Sequence, residues 1–134
     1  MEYISFIGQM LLSATLGGII GWQRERIGKA AGLRTYALVS LGSTLLTLIS
    51  QYGFQNGTDP SRVAAQILTG IGFIGAGTII HREGGVEGLT TAAGLWAVAA
   101  VGMAIGVGWY WQAIFTTLVM MIVLLFRNKT FFKR

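Results

Sequence analysis

The sequence predicts an all-α integral membrane protein: a tightly packed, Gly/Ala-rich bundle of five transmembrane helices, N-terminus outside and C-terminus in the cytoplasm. Three observations predict it. Of 134 residues, 53% are hydrophobic and only 11% are charged, where a soluble domain carries about 25% charge. Residues 88–126 hold no charged side chain, a tract too long for one crossing, since about 20 residues span the hydrocarbon. Of the ten Lys and Arg residues, all but Arg62 fall in segments that one side of a membrane would hold, the asymmetry that sets orientation. The mean hydropathy of +0.63 agrees. A soluble enzyme and a disordered chain are both excluded. The absence of cysteine removes disulfides, thiolate metal sites and cysteine nucleophiles. The net charge of +5 reads as cytoplasmic anchoring and not as nucleic-acid binding.

Five apolar segments follow in order, at about 3–22, 33–52, 63–80, 89–106 and 109–126. Each has roughly 18 to 20 residues, which is helix length and not barrel-strand length, and none alternates with a period of two. The first is followed by Arg24, Glu25, Arg26 and Lys29. With no basic stretch ahead of it and these charges behind, it is expected to be a retained span and not a cleaved leader. The second gives way to turn formers, where Asp59 is placed to cap a helix whose first position is Pro60. His81, Arg82 and Glu83 separate the third from the fourth, and Gly106-Val107-Gly108 joins the last two as a hairpin. Arg24, Arg26, Lys29, Arg34, Arg82, Arg127, Lys129, Lys133 and Arg134 then share the cytoplasmic side, opposite Arg62. Trp22, Tyr52, Trp109, Tyr110 and Trp111 fall at segment ends, as an aromatic belt would. Residues 1–126 are expected to form the transmembrane domain. Residues 127–134 form a basic tail whose Phe131 and Phe132 suit the inner leaflet.

Twenty glycines are about twice the usual share. Small residues fall into stripes: Ala14, Gly17, Gly18 and Gly21; then Ala65, Thr69, Gly72 and Ala76; then Ala93, Ala97, Ala100 and Ala104. Such stripes let backbones touch, which is how membrane helices gain contact. Gly17, Gly21, Gly70 and Gly72 are therefore expected to pack helices, and the stripes also suit a homo-oligomer. A second reading holds for the run from Gly70 to Gly77, with four glycines in eight residues. That is a poor helix, and a break there would bare carbonyls to an ion or substrate. The dinucleotide-like spacing of Gly70, Gly72 and Gly75 lacks a β-α-β context and is dismissed.

Three segments are familiar together: Ala31-Gly32-Leu33-Arg34-Thr35 with Leu38-Val39-x-Leu41-Gly42, then Gly70-Ile71-Gly72-Phe73-Ile74-Gly75-Ala76-Gly77, then Gly88-Leu89-Thr90-Thr91-Ala92-Ala93 with Leu95-Trp96. Asp59-Pro60-x-Arg62-x-x-Ala65-Gln66 precedes the second. In this order the chain resembles the MgtC/SapB family of bacterial inner-membrane proteins, up to about Phe126. The likeness departs at Gln23, where relatives often have Glu, and relatives often continue into a cytoplasmic ACT-like domain, which is not expected here. The resemblance implies a multi-pass protein that modulates magnesium and phosphate homeostasis, with growth at low magnesium and virulence-type adaptation. It implies action on other membrane machines, such as the F-type ATP synthase or transporters, and does not imply that the chain itself carries magnesium.

Charge at membrane depth is costly, and this chain has almost none at mid-span. That argues against a proton pump or a carboxylate-lined magnesium pore. No metal ligand set can be named and no cofactor is indicated. An enzyme is not expected, because a catalytic pair needs a nucleophile and a base, and the single histidine, His81, stands in a charged loop. Ser40, Thr44 and Thr47 share a helix face and either bond backbone carbonyls or line a polar path. Trp96 falls at mid-span as a core filler. The candidate ligand or ion site lies at the cytoplasmic side. Helices two and four begin there at Gly32-Leu33-Arg34-Thr35 and Gly88-Leu89-Thr90-Thr91, with Gly75 and Gly77 ending the third nearby. Helix N-termini carry free N–H groups and partial positive charge, and Arg34 adds a fork suited to an oxyanion. The site would take an anion such as phosphate, a lipid head group or the Glu25 carboxylate. Equally, Glu25 could simply clasp Arg34. Asp59, Arg62 and Gln66 form a secondary group on the opposite side. The competing functions are a homeostasis modulator and a transporter or channel for a small ion through the Gly-rich helix.

Overall fold

The computed structural model describes residues 2–54 and 56–126. Among these the chain forms α1 (Tyr3–Arg26), α2 (Leu33–Tyr52), α3 (Arg62–Ala76), a two-stranded hairpin of β1 (Ile80–Arg82) and β2 (Gly85–Glu87), α4 (Leu89–Gly106) and α5 (Tyr110–Leu125). Three helices, α1, α2 and α4, are long and apolar enough to cross a membrane; α3 and α5 are apolar but shorter. The tail expected at 127–134 lies outside the described residues.

Helix ends follow local chemistry. Gly28, at φ +71°, and the Lys29 N–H bonding back to the Arg24 carbonyl at 3.1 Å close α1, because a left-handed glycine lets the chain turn under the last carbonyls. Gly108, at φ +88°, and Trp109 N–H to Ala104 O at 2.8 Å close α4 in the same way. This is the tight hairpin expected at 106–108. The start of α3 differs from expectation. Its first helical residue is Arg62, not Pro60, because Asp59 Oδ1 accepts from the Ser61 N–H at 2.9 Å and the Ser61 hydroxyl at 2.7 Å. Its end differs as well: the helix stops at Ala76 and not near Ile80. Gly77 N–H bonds Phe73 O at 3.1 Å, and the Thr78 hydroxyl takes the Gly75 carbonyl at 2.7 Å. The β-branched Ile79 and Ile80 then enter an extended arm, with Ile80 opposite Glu87. The loop expected at 81–88 is therefore largely a β-hairpin.

The packing centre is the seam where α2 lies between α1 and α4, and α4 touches all four other helices. A Cβ on Gly17 would stand 2.5 Å from Tyr36 O, and one on Gly21 2.6 Å from Gly32 O, so α1 and α2 meet backbone to backbone. On α4, Gly102 meets the Ser40 backbone in the same way, while Gly94 makes room for the Tyr36 side chain and Gly106 for that of Thr47. Hydroxyls knit this seam. Thr44 Oγ1 lies 2.7 Å from Ser13 Oγ, 2.7 Å from the Gly102 carbonyl and 3.1 Å from the Ser40 carbonyl, and Ser13 and Ser40 are 2.9 Å apart. Gln9 Nε2 donates to Ile105 O at 3.0 Å. Thr47 bonds the Ser43 carbonyl of its own helix at 2.8 Å.

Several packing expectations are corrected. Among the described residues Gly70 and Gly72 pack against nothing: a Cβ on either has no neighbour within 4 Å. The α3 stripe of Ala65, Thr69, Gly72 and Ala76 is exposed along its length, because α3 buries Ala64, Ile67, Ile71 and Gly75 instead. The α4 stripe from Ala93 to Ala104 is exposed or half-buried, and Trp96 is not a core filler but 53% exposed. Nor does the Gly-rich run break the helix in mid-course; it is helical through Ala76.

Candidate functional site

The chain's antiparallel course brings the C-terminal ends of α1, α3 and α5 and the N-terminal ends of α2 and α4 to one end of the bundle. There a cleft of about 510 Å³ opens, lined by Arg24 and Lys29 of the α1 end, Thr78 and Glu87 of the hairpin arm, and Thr90 and Thr91 of α4. A smaller cavity of about 280 Å³ continues past Arg24, Lys29 and Thr90 to Val123, Leu124 and Phe126 of α5. Arg24 is common to both.

Arg24 is buried, with only 3% of its surface exposed. The reason is helical spacing. Gly17, Gly21 and Arg24 stand at i, i+4 and i+7 on the face that α1 turns to the bundle, together with Gln9, Ser13, Leu16 and Ile20. Arg24 Nη2 donates to Thr91 Oγ1 at 3.1 Å. Its Nε is buried without a hydrogen-bond partner. Tyr36, fully buried on α2, sends its hydroxyl to the Thr91 carbonyl at 3.4 Å, so Thr91 is fixed from two sides. Gly88 caps α4 at φ +83°, where a side chain would strike the Thr78 carbonyl. No side chain caps this helix start and no acid stands in its first turn, so its leading N–H groups remain available. At the cleft's edge Glu87 pairs with Arg82 at 3.3 Å, the one ion pair among the described residues.

The residues singled out in sequence separate on this geometry. Thr90 and Thr91 line the cleft. Gly75 packs below it, where a Cβ would be 3.4 Å from Ala92, and Gly77 is exposed at the turn after α3. Arg34 and Thr35 are exposed on the first turn of α2 and do not line the cleft. Glu25 is exposed beside Gly32, and no ion pair joins it to Arg34, so the clasp is absent. Asp59 and Arg62 sit at the far end of the bundle, and Gln66 is exposed at an apolar groove between α2 and α3. Arg24 was hidden in the sequence among anchoring charges. Its spacing from Gly17 and Gly21 is the signal that would have placed it inside.

Fold and site together define a Gly-rich helical membrane protein, its seam closed by hydroxyls and its only buried charge, among the described residues, at one polar end. The chain belongs to the MgtC family, whose family model matches residues 10–131. It is 46% identical over 134 residues, 94% of this chain, to the Escherichia coli K12 protein named "Putative magnesium transporter YhiD". It is 40% identical over 121 residues to Protein MgtC of Salmonella typhimurium 14028s, covering 90% of this chain and 52% of that one. An uncharacterised protein of Haemophilus influenzae is 37% identical over 130 residues, which are 90% of this chain and 55% of that protein. The chain spans 62% of the length of the E. coli relative. No solved structure matches it.

Proposed function

We propose that this chain is a multi-pass protein of the bacterial inner membrane that modulates magnesium and phosphate homeostasis by acting on other membrane machinery. All five helices cross, with the N-terminus outside and the C-terminus in the cytoplasm. The bundle end that carries Arg24, Arg26, Lys29, Arg34 and Arg82 faces the cytoplasm, in keeping with the distribution of positive charge. Membership of the MgtC family supports a magnesium-related role. The observation that carries the modulator reading is the closed seam. Ser13, Ser40 and Thr44 bond one another and the Gly102 carbonyl at the centre of the bundle, between helices in backbone contact. Hydroxyls spent on each other leave no polar path for a hydrated divalent ion, which gives up its waters reluctantly.

The second reading, transport of magnesium by the chain itself, is favoured by the name of the E. coli relative. Purified protein in liposomes loaded with a magnesium-sensitive dye separates the two. The modulator reading expects no influx above that of empty liposomes, together with restored growth at low magnesium when the chain is supplied to a deletion strain. Influx with the protein alone would establish the transporter instead. For topology, a Thr58→Cys variant should react with an impermeant thiol reagent applied to intact cells after permeation of the outer membrane, and an Asn128→Cys variant should not. Reversed labelling overturns the orientation.

A further inference from the structure

Arg24 poses a charge problem that the described residues do not solve. Its side chain is a guanidinium cation with five N–H donors and no acceptor. It is buried, its only hydrogen-bonding neighbours among the described residues are the neutral hydroxyls of Thr91 and Tyr36, and its Nε has no partner there. A cation withdrawn from water in this way calls for an anion. The chain has five acidic residues, and none supplies it. Glu87 is held by Arg82 at 3.3 Å. Asp59 takes its bonds from Ser61 at the far end of the bundle, and Glu2 precedes α1 at that same end. Glu83 is exposed in the hairpin turn, and Glu25 is exposed against Gly32.

Apart from Glu87, which Arg82 holds at the cleft's edge, the polar groups gathered around Arg24 are hydroxyls, a second cation and a helix N-terminus. Lys29 lines both cavities with Arg24, and Thr90 joins them. The 18-residue α4 begins at the same spot, with neither a capping side chain nor an acid in its first turn. Its leading N–H groups and dipole favour a negative ligand. The fixed fork of Arg24 suits a tetrahedral oxyanion better than a halide. The apolar border of Leu89, Val123, Leu124 and Phe126 suits one that arrives on a hydrocarbon tail as well as one that arrives alone.

We propose that this cleft binds a phosphate-type oxyanion, seated on Arg24, Lys29, Thr90 and the N-terminus of α4. The two sources of such a group are a phospholipid head group and free phosphate. The site stands independently of the homeostasis reading, since it is tested by binding and not by growth. The experiment is thermal melting of the delipidated full chain in dodecyl maltoside, which carries neither charge nor phosphate. One arm adds inorganic phosphate against chloride at equal ionic strength. The other adds phosphatidylglycerol against monogalactosyldiacylglycerol, a lipid without phosphate. A rise in melting temperature with phosphate but not chloride assigns a free anion; a rise with phosphatidylglycerol but not the galactolipid assigns a head group. Lys29→Gln, at an exposed position that does not endanger folding, should weaken the responding ligand about tenfold, the loss of one charge-assisted contact. Thr90→Val should weaken it by a smaller factor. Arg34→Gln, exposed outside the cleft, should bind as the parent does. No rise in either arm overturns the proposal. So does an equal loss in Lys29→Gln and Arg34→Gln, which would mean diffuse attraction and no site.

Discussion

Replacing Gly102 by alanine should loosen the bundle, whereas the same change at Gly72 should tighten it. At Gly102 the added methyl would drive into the Ser40 carbonyl and come to 2.9 Å from Ser43 Cβ and 3.0 Å from Ser40 C. Backbone cannot swing aside as a flexible side chain does, so α2 and α4 must separate. Overpacking of this kind costs about 1 to 3 kcal/mol. The separation also strains the 2.7 Å contact of Thr44 Oγ1 with the Gly102 carbonyl, adding about 0.6 kcal/mol for an interhelical hydrogen bond in a membrane protein. The gain in helix propensity returns up to about 1 kcal/mol, leaving a net loss of roughly 1 to 3 kcal/mol. At Gly72 a Cβ meets nothing within 4 Å, so only the propensity gain remains, about 0.5 to 1 kcal/mol of stabilisation. Melting of both variants in detergent, followed by size exclusion, should place one below the parent and the other at or above it. If Gly72→Ala falls as far as Gly102→Ala, the outer face of α3 is covered after all, and the argument from open space fails.

Other outcomes follow from the same contacts. Thr44→Val keeps the shape but removes the hydroxyl that meets Ser13 and Gly102; it should cost about 0.6 to 1.7 kcal/mol. A double-mutant cycle with Ser13→Ala should be non-additive, because the two share one network. At Asp59, the hydroxyl and N–H of Ser61 hold the carboxyl below its ordinary 3.8. A lowered native pKa stabilises above the unfolded value and loses that stabilisation as pH falls through the native one. Protection of the Ser61 amide, measured against its intrinsic exchange rate, should therefore fall once pH drops below the ordinary aspartate value, and Asp59→Asn should remove that fall.

Much of the fold is legible because hydropathy and helix length speak directly. α2 and α4 begin and end where the apolar segments do. α3 is less legible because its apolar stretch runs on through Ile79 and Ile80, and hydropathy cannot tell an apolar helix end from an apolar strand. The deciding signals are local: the glycines at 75 and 77 and the Thr78 hydroxyl that takes the Gly75 carbonyl. Stripes of small residues show that helices touch, but not which face touches. Gly17 and Gly21 meet α2, whereas a Cβ on Gly70 or Gly72 would meet none of the described residues. At the polar end the start of α4, singled out in the sequence, lines the cleft. The sequence puts weight on Arg34 because that residue sits in a helix's first turn, and misses Arg24 because a basic cluster reads as anchoring charge. Only the relation of Arg24 to Gly17 and Gly21, three residues on one helical face, distinguishes the buried arginine from its exposed neighbour Arg26, which lies over the Trp22 ring at 4.8 Å.

The early end of α3 has a mechanical consequence for the surrounding lipid. Its 15 residues rise about 22 Å, at 1.5 Å per residue, while the 24 residues of α1 rise about 36 Å. The hydrocarbon layer is about 30 Å thick. With all five helices crossing, as proposed above, the protein would be a lopsided wall, too tall along one flank and too short along the other. On that topology acyl chains beside α3 would compress, at fractions of a kcal/mol for each ångström, while those beside α1 would not. Such a gradient gives the molecule a preferred neighbour on one side: anything equally short that can share the thinned annulus of lipid relieves the strain for both.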